Sequence, residues 1–169
     1  MRSIKIIHLI STFCVGLFAG LLYAFAQGVL PTLNTLGASA YATVERGLII
    51  NLDAFPTGVI AVATIAMLLP LYPLIRLWRH TGSAYWRLTF LGWLLFFFGV
   101  SLFTIILNVP INELVKSWDP ANPPADWQKA RDQWALLNAI RTPINLLSFA
   151  LLILAGFELH TVETSTSKR

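Results

Sequence analysis

Charge is what this chain has least of. Only 12% of its 169 residues are Asp, Glu, Lys or Arg, about half the share that a soluble domain carries on its water-facing surface. Cysteine is almost missing: the single Cys14 forms no internal disulfide and no cysteine-rich metal site. The three histidines, His8, His80 and His160, lack zinc spacing, and none is placed mid-span opposite another as a haem-ligand pair would be. There is no phosphate-binding glycine loop, no nucleophile elbow and no dinucleotide fingerprint. These absences exclude a disulfide-stapled scaffold and the common nucleotide enzymes, while 56% hydrophobic residues exclude disorder and collagen. The 12 Lys and Arg against 8 Asp and Glu, net +4, gather at the edges of apolar runs. They do not interleave with aromatics along a groove, so nucleic acid is not an expected partner.

What the chain has in abundance is long uncharged runs. Crossing hydrocarbon takes roughly 20 apolar residues in a helix, and four stretches qualify: about 9–30, 54–75, 88–112 and 135–157, the last interrupted only by Arg141. The expected fold is all-α, a transmembrane four-helix bundle formed by one integral membrane domain over 1–160, with a flexible cytoplasmic tail over 161–169. The first stretch follows Arg2 and Lys5 and holds Ala24-Phe25-Ala26, which imitates a signal cleavage site. Its apolar length exceeds the usual 7–15 residues of a signal, and it reads as an uncleaved span. One set of span ends holds seven basic residues, Arg2, Lys5, Arg76, Arg79, Arg87, Lys168 and Arg169, and the other holds four, Arg46, Lys116, Lys129 and Arg131. That asymmetry predicts both termini inside, in a multi-pass protein of the cell membrane. Trp78 and Trp86 then mark the inner interface, and Trp118, Trp127 and Trp134 the outer one, as an aromatic belt.

Between the spans, the inner loop near Trp78–Arg87 is short and makes spans two and three an antiparallel pair. The outer segment 32–53 mixes apolar residues with Glu45 and Arg46 and is expected to be partly helical, at the interface or dipping into the bundle. The prolines of Asp119-Pro120-Ala121-Asn122-Pro123-Pro124 forbid a continuous helix, and Asp126 is the expected N-cap of the last helix. That helix therefore begins outside the membrane and enters it through Trp134.

Helical spacing sorts the polar residues of two spans into stripes. Ser101, Thr104, Asn108 and Asn112 share one side of the third, and Trp127, Arg131, Trp134, Asn138, Arg141, Asn145 and Ser148 one side of the fourth. Burying the stripes against each other satisfies amides and guanidinium that lipid would leave unpaired. Arg141 carries the most information, because a charge inside a span costs about 2.5–3.5 kcal/mol unless paired or hydrated. Glu45, Asp53 and Glu113 are its candidate counter-ions. The residue either locks the last helix to its neighbours or serves a polar ligand site. Tyr23 and Gln27, one turn apart on the first span, either join that polar cavity or anchor the interface. Gly16 and Gly20 form a small-xxx-small step that suits close packing within the bundle, or a dimer face in a homo-oligomer.

Three stretches carry a family resemblance: Leu17-Phe18-Ala19-Gly20-Leu21-Leu22-Tyr23-Ala24-Phe25 through Val29-Leu30-Pro31; Asn108-Val109-Pro110-Ile111-Asn112-Glu113-Leu114; and Trp134 followed by Asn138, Arg141 and Thr142. In this order they resemble a family of small four-span membrane proteins related to anthrone oxygenases. The resemblance implies oxidation of an anthrone to an anthraquinone by O2, with no cofactor, neither metal nor flavin. Such a reaction needs a base for an acidic C–H and a pocket for the oxyanion. By the resemblance, Arg141, Asn108, Asn112 and Asn138 hold the oxyanion and Glu113 is a candidate base, which makes Glu113 and Arg141 the expected catalytic residues. With Tyr23, Gln27, Trp134 and Asn145 from the polar faces, the three asparagines are expected to bind a hydrophobic small-molecule substrate, an aromatic ketone or phenol. Many relatives look like Asn-His-x-Arg-Thr where this chain has Asn138-Ala139, so a histidine base is missing here. The competing expectation is a non-catalytic binding or accessory protein for lipid, quinone or a partner protein. A transporter is disfavoured, since four short spans leave little room for alternating access.

Overall fold

Backbone N–H and C=O groups in hydrocarbon must be satisfied within the segment itself, so an uncharged run of this length has helix as its solution. The computed structural model describes residues 1–52 and 58–167, with side chains through Leu159. Among the described residues, four helices are long and apolar enough to cross a membrane, and the chain is built as a multi-pass membrane protein. They are α1 (Arg2–Leu33), α3 (Val59–Arg76), α4 (Ala84–Lys116) and α5 (Trp127–Ser167), while a shorter α2 (Ala38–Leu52) lies between the first two. The expected start of the second span, Ala54 with Pro56, and the candidate counter-ion Asp53 lie outside the described residues, as do the side chains of the expected tail.

The apolar runs understate the helices. The span of α1 is 32 residues and that of α4 is 33, because both continue through their prolines. Pro31 and Pro110 sit in the first turn of a new α-helical segment, where a missing N–H costs little. Each is preceded by a wider π-helical turn, Phe25–Val29 in α1 and Thr104–Asn108 in α4, and a third such turn occupies Phe97–Leu102. The wide turns rotate the following side chains away from strict 3.6-residue spacing, and turns of this kind gather at functional sites.

Three buried layers run along the bundle. At the near end, beside Met1, Ile4, Leu77, Tyr85, Ala155 and Leu159 pack together. The middle layer holds Val15, Phe18, Leu22, Ala66, Phe96, Val100 and Leu152. The far layer joins Phe25, Leu33, Tyr41, Ile49, Ile111, Val115 and Trp134. Small residues let α5 approach its partners: the Ser148 hydroxyl donates to the Gly92 carbonyl at 2.7 Å, and a methyl placed on Gly99 would meet Ile144. The proline break at Pro70 and Pro73 is sealed from α4, where the Trp93 and Trp86 indoles donate to the carbonyls of Met67 and Leu74 at 2.9 and 3.0 Å.

The segment expected to dip into the bundle forms α2, which turns Tyr41, Ala42, Glu45 and Ile49 inward on one stripe. Arg46 Nε donates to the Lys116 carbonyl at 3.1 Å, which places a cation at the last turn of α4. This docking alters the expected outer belt. Trp118, Trp127 and Trp134 do sit at the far end, but all three are buried in its core. The reason is α2, which lays Tyr41 against Trp127 with ring centroids 5.0 Å apart.

Candidate functional site

Asn138 and Arg141 are three residues apart on α5 and therefore share a face. Arg141 Nε and Nη2 both donate to Asn138 Oδ1, at 3.1 and 2.7 Å, and Nη1 donates to Thr104 Oγ1 on α4 at 2.9 Å. Each acceptor is itself held. Asn138 Nδ2 donates to the Trp134 carbonyl at 2.9 Å, and the Thr104 hydroxyl donates to the Val100 carbonyl. A guanidinium has five N–H groups, so these bonds leave two for the space that Arg141 faces. One turn outward, the Trp134 indole donates to Asn112 Oδ1 at 3.1 Å, which orients the Asn112 amide and leaves its NH2 as a donor.

That space is a chamber of about 80 Å3 to which all five helices contribute. Phe18, Leu21, Leu22 and Phe25 come from α1, Val59 from α3, Thr104 and Asn112 from α4, and Trp134 and Arg141 from α5. From α2 come Leu48, Ile49, Leu52 and Glu45. Glu45 is only 1% exposed, and neither carboxylate oxygen has a hydrogen-bond partner among the described residues. Burial pushes its carboxyl up to about 7, because loss of water disfavours the charged form. The neighbouring Tyr41, one turn earlier on α2, is also raised, by burial first and then by the Glu45 charge.

A wider cleft of about 460 Å3 between α3 and α4 adjoins the chamber and shares Phe18, Val59, Thr104 and Asn112 with it. Its other walls include Ile60, Ala63, Met67 and Ile105, and Glu113 and Lys116 lie on its rim. The small chamber holds the ionisable chemistry, and the cleft holds the volume.

The residues expected from the sequence are thus divided. Arg141, Asn112 and Trp134 line the chamber, and Asn138 stands behind Arg141 with its amide committed on both sides. Asn108 and Asn145 are buried without hydrogen-bond partners among the described residues, and neither is among the lining residues of the two cavities. Tyr23 and Gln27 are exposed on α1 and line neither cavity. Glu113 has a side chain 62% exposed and ion-paired with Lys116. Ala139 is exposed, on the face of α5 turned away from Arg141, so a side chain at that position would not enter the chamber. Sequence reasoning ranks Glu45 only among counter-ions and leaves Thr104 out of the binding set. The Tyr41, Glu45, Ile49 spacing of four is the available signal for the inward face of α2. Among the described residues, no group of three His, Cys, Asp or Glu side chains is gathered to hold a metal ion.

Compared with known families, residues 6–151 match the anthrone oxygenase family. The chain belongs to that family. The match runs from the first turns of α1 well into α5 and includes every residue lining the chamber. No curated protein and no solved structure matches the chain.

Proposed function

We propose that this anthrone oxygenase family member is itself an oxygenase, one that uses O2 to oxidise a hydrophobic aromatic ketone or phenol dissolved in the membrane. The supporting observation is the guanidinium of Arg141, 8% exposed, fixed by Asn138 and Thr104 with two N–H groups uncommitted, on the wall of a mostly apolar chamber. Donors held in place before reaction are what a developing oxyanion requires, and they act most strongly where water is excluded. The Asn112 amide supplies a further donor on the same chamber. The apolar cleft suits the ring system, while the oxygen-bearing edge reaches Arg141. For an anthrone, the balance is one CH2 and one O2 giving one C=O and one H2O, so the carbon is oxidised by two successive losses of hydrogen.

Oxygen uptake with anthrone, in membranes containing the wild type or Arg141→Leu, tests the reading. Loss of one such donor costs about 10²–10³ in rate, and a drop of that order is expected. Equal rates in the two preparations would refute it. Membranes that consume no oxygen but retain a co-purifying quinone or lipid would favour the accessory-protein reading instead.

A further inference from the structure

Resting on that reading, we infer that Glu45 is the base that removes a proton from carbon in the chamber. The first ground is its isolation. Buried carboxylates are as a rule hydrogen-bonded or ion-paired, yet both oxygens of Glu45 lack a partner among the described residues while lining the same cavity as Arg141. A carboxylate kept for structure would be closed onto the guanidinium or the Asn112 amide. One kept for proton transfer has to present an oxygen to the substrate. The second ground is elimination. Among the described residues lining the chamber, Glu45 and Arg141 alone are ionisable, and a guanidinium does not serve as a base. Glu113, on the cleft rim, already has its charge engaged by Lys116.

The chemistry balances with this one base. The carboxylate takes a methylene proton, and the electron pair left on carbon delocalises onto the ketone oxygen, where Arg141 and Asn112 stabilise it. The carbanion passes its electrons to O2 one at a time, and the resulting C–O bond gives a peroxide anion, which recovers the proton from Glu45. The regenerated carboxylate takes the second proton from the same carbon. The O–O bond then breaks, the carbonyl forms, and the departing hydroxide collects the proton from Glu45 and leaves as water.

The test is oxygen uptake by the full-length protein in membranes, comparing wild type, Glu45→Gln and Glu45→Asp. The substrates are anthrone and anthrone deuterated at its methylene. Around Glu45, α5 presents Arg141, α2 itself presents Tyr41, and α1, α3 and α4 present residues that do not titrate, such as Phe18, Val59 and Asn112. The wild-type rate should rise with pH through about 7, where the carboxylate forms, and should fall on deuteration. Glu45→Gln should lose about 10²–10⁴-fold, the contribution of a positioned base, with Glu45→Asp restoring part of the rate and the pH dependence. A wild-type rate in Glu45→Gln would overturn this inference and leave the proposed function standing. So would equal losses in Gln and Asp with an unchanged pH profile. A wild type without anthrone-dependent uptake would overturn the proposed function together with the inference.

Discussion

Replacing Glu45 by Gln should stabilise the protein at neutral pH and leave it unchanged in acid. The carboxyl is lifted from 4.5 to about 7 by burial, and it is 1% exposed, so solvent does not screen the effect away. Below the unfolded value both states hold the proton, and the acid form is fully accommodated. As pH rises from 4.5 toward 7, the unfolded carboxyl ionises while the folded one stays neutral. The unfolded state then binds fewer protons, and stability falls by about 1.4 kcal/mol per pH unit. Past the folded value the loss levels off at about 3 kcal/mol, the free energy equivalent of the whole shift. A glutamine keeps the shape and one hydrogen-bonding oxygen but does not titrate. Unfolding of detergent-purified wild type and variant, followed by the fluorescence of the six tryptophans at pH 4, 6 and 8, reads the difference directly. Other titrating groups are common to both proteins and cancel. The expected gap is near zero at pH 4 and grows in favour of the variant. A gap that grows in favour of the wild type would show that ionised Glu45 closes onto Arg141 as an ion pair, and the account of an unpartnered carboxylate would fall.

Asn138→Ala removes the acceptor of two Arg141 N–H bonds. Hydrogen bonds to charged groups are worth about 1.5–3 kcal/mol, so a loss of about 3 kcal/mol is expected in the same unfolding assay, and a loss under about 0.5 kcal/mol would contradict the network. Gly16 and Gly20 should separate. A methyl on Gly16 falls 2.7 Å from Phe149 Cε2, while one on Gly20 meets nothing within 4 Å. Gly16→Ala should cost about 1–3 kcal/mol through overpacking, and Gly20→Ala should gain about 0.5–1 kcal/mol from helix entropy. Matching thermal shifts for the two would refute the assignment of Gly16 to the α1–α5 contact.

The parts of this molecule that are legible in the sequence are those dictated by one-dimensional physics. Hydrocarbon thickness fixes the length of an uncharged run, so the four spans and their order can be read directly. Helical period places Asn138 beside Arg141, and the cost of burying a cation turns both inward. What is not legible depends on register between helices. The Trp134 to Asn112 bond follows from how α4 and α5 slide together at Gly92, Gly99 and Ser148, which no local pattern announces. Tyr23 and Gln27 show the converse: a turn apart, polar and well placed along α1, they lie on the face opposite the one that packs. For the tryptophans of the far end, composition does not tell a lipid-facing belt from a buried cap, because the two have the same composition. Glu45 and Arg46 are adjacent, and composition alone does not say which turns inward. The arginine reaches the end of α4, and the carboxylate is left to the interior.

That division explains how two opposite charges remain unpaired on one small cavity. Arg141 is fixed from the α4 and α5 side, by Thr104 and Asn138, and its position is independent of α2. Glu45 rides on α2, whose place is set by the burial of Tyr41, Ala42 and Ile49 and by Arg46 on the Lys116 carbonyl. Attraction between the two ions is therefore set against the apolar packing that holds α2 at the far end. Burial of three such side chains contributes several kcal/mol, comparable with the net gain of a buried ion pair after desolvation. The chamber persists because the packing that positions α2 and the hydrogen bonds that position Arg141 are built from different residues.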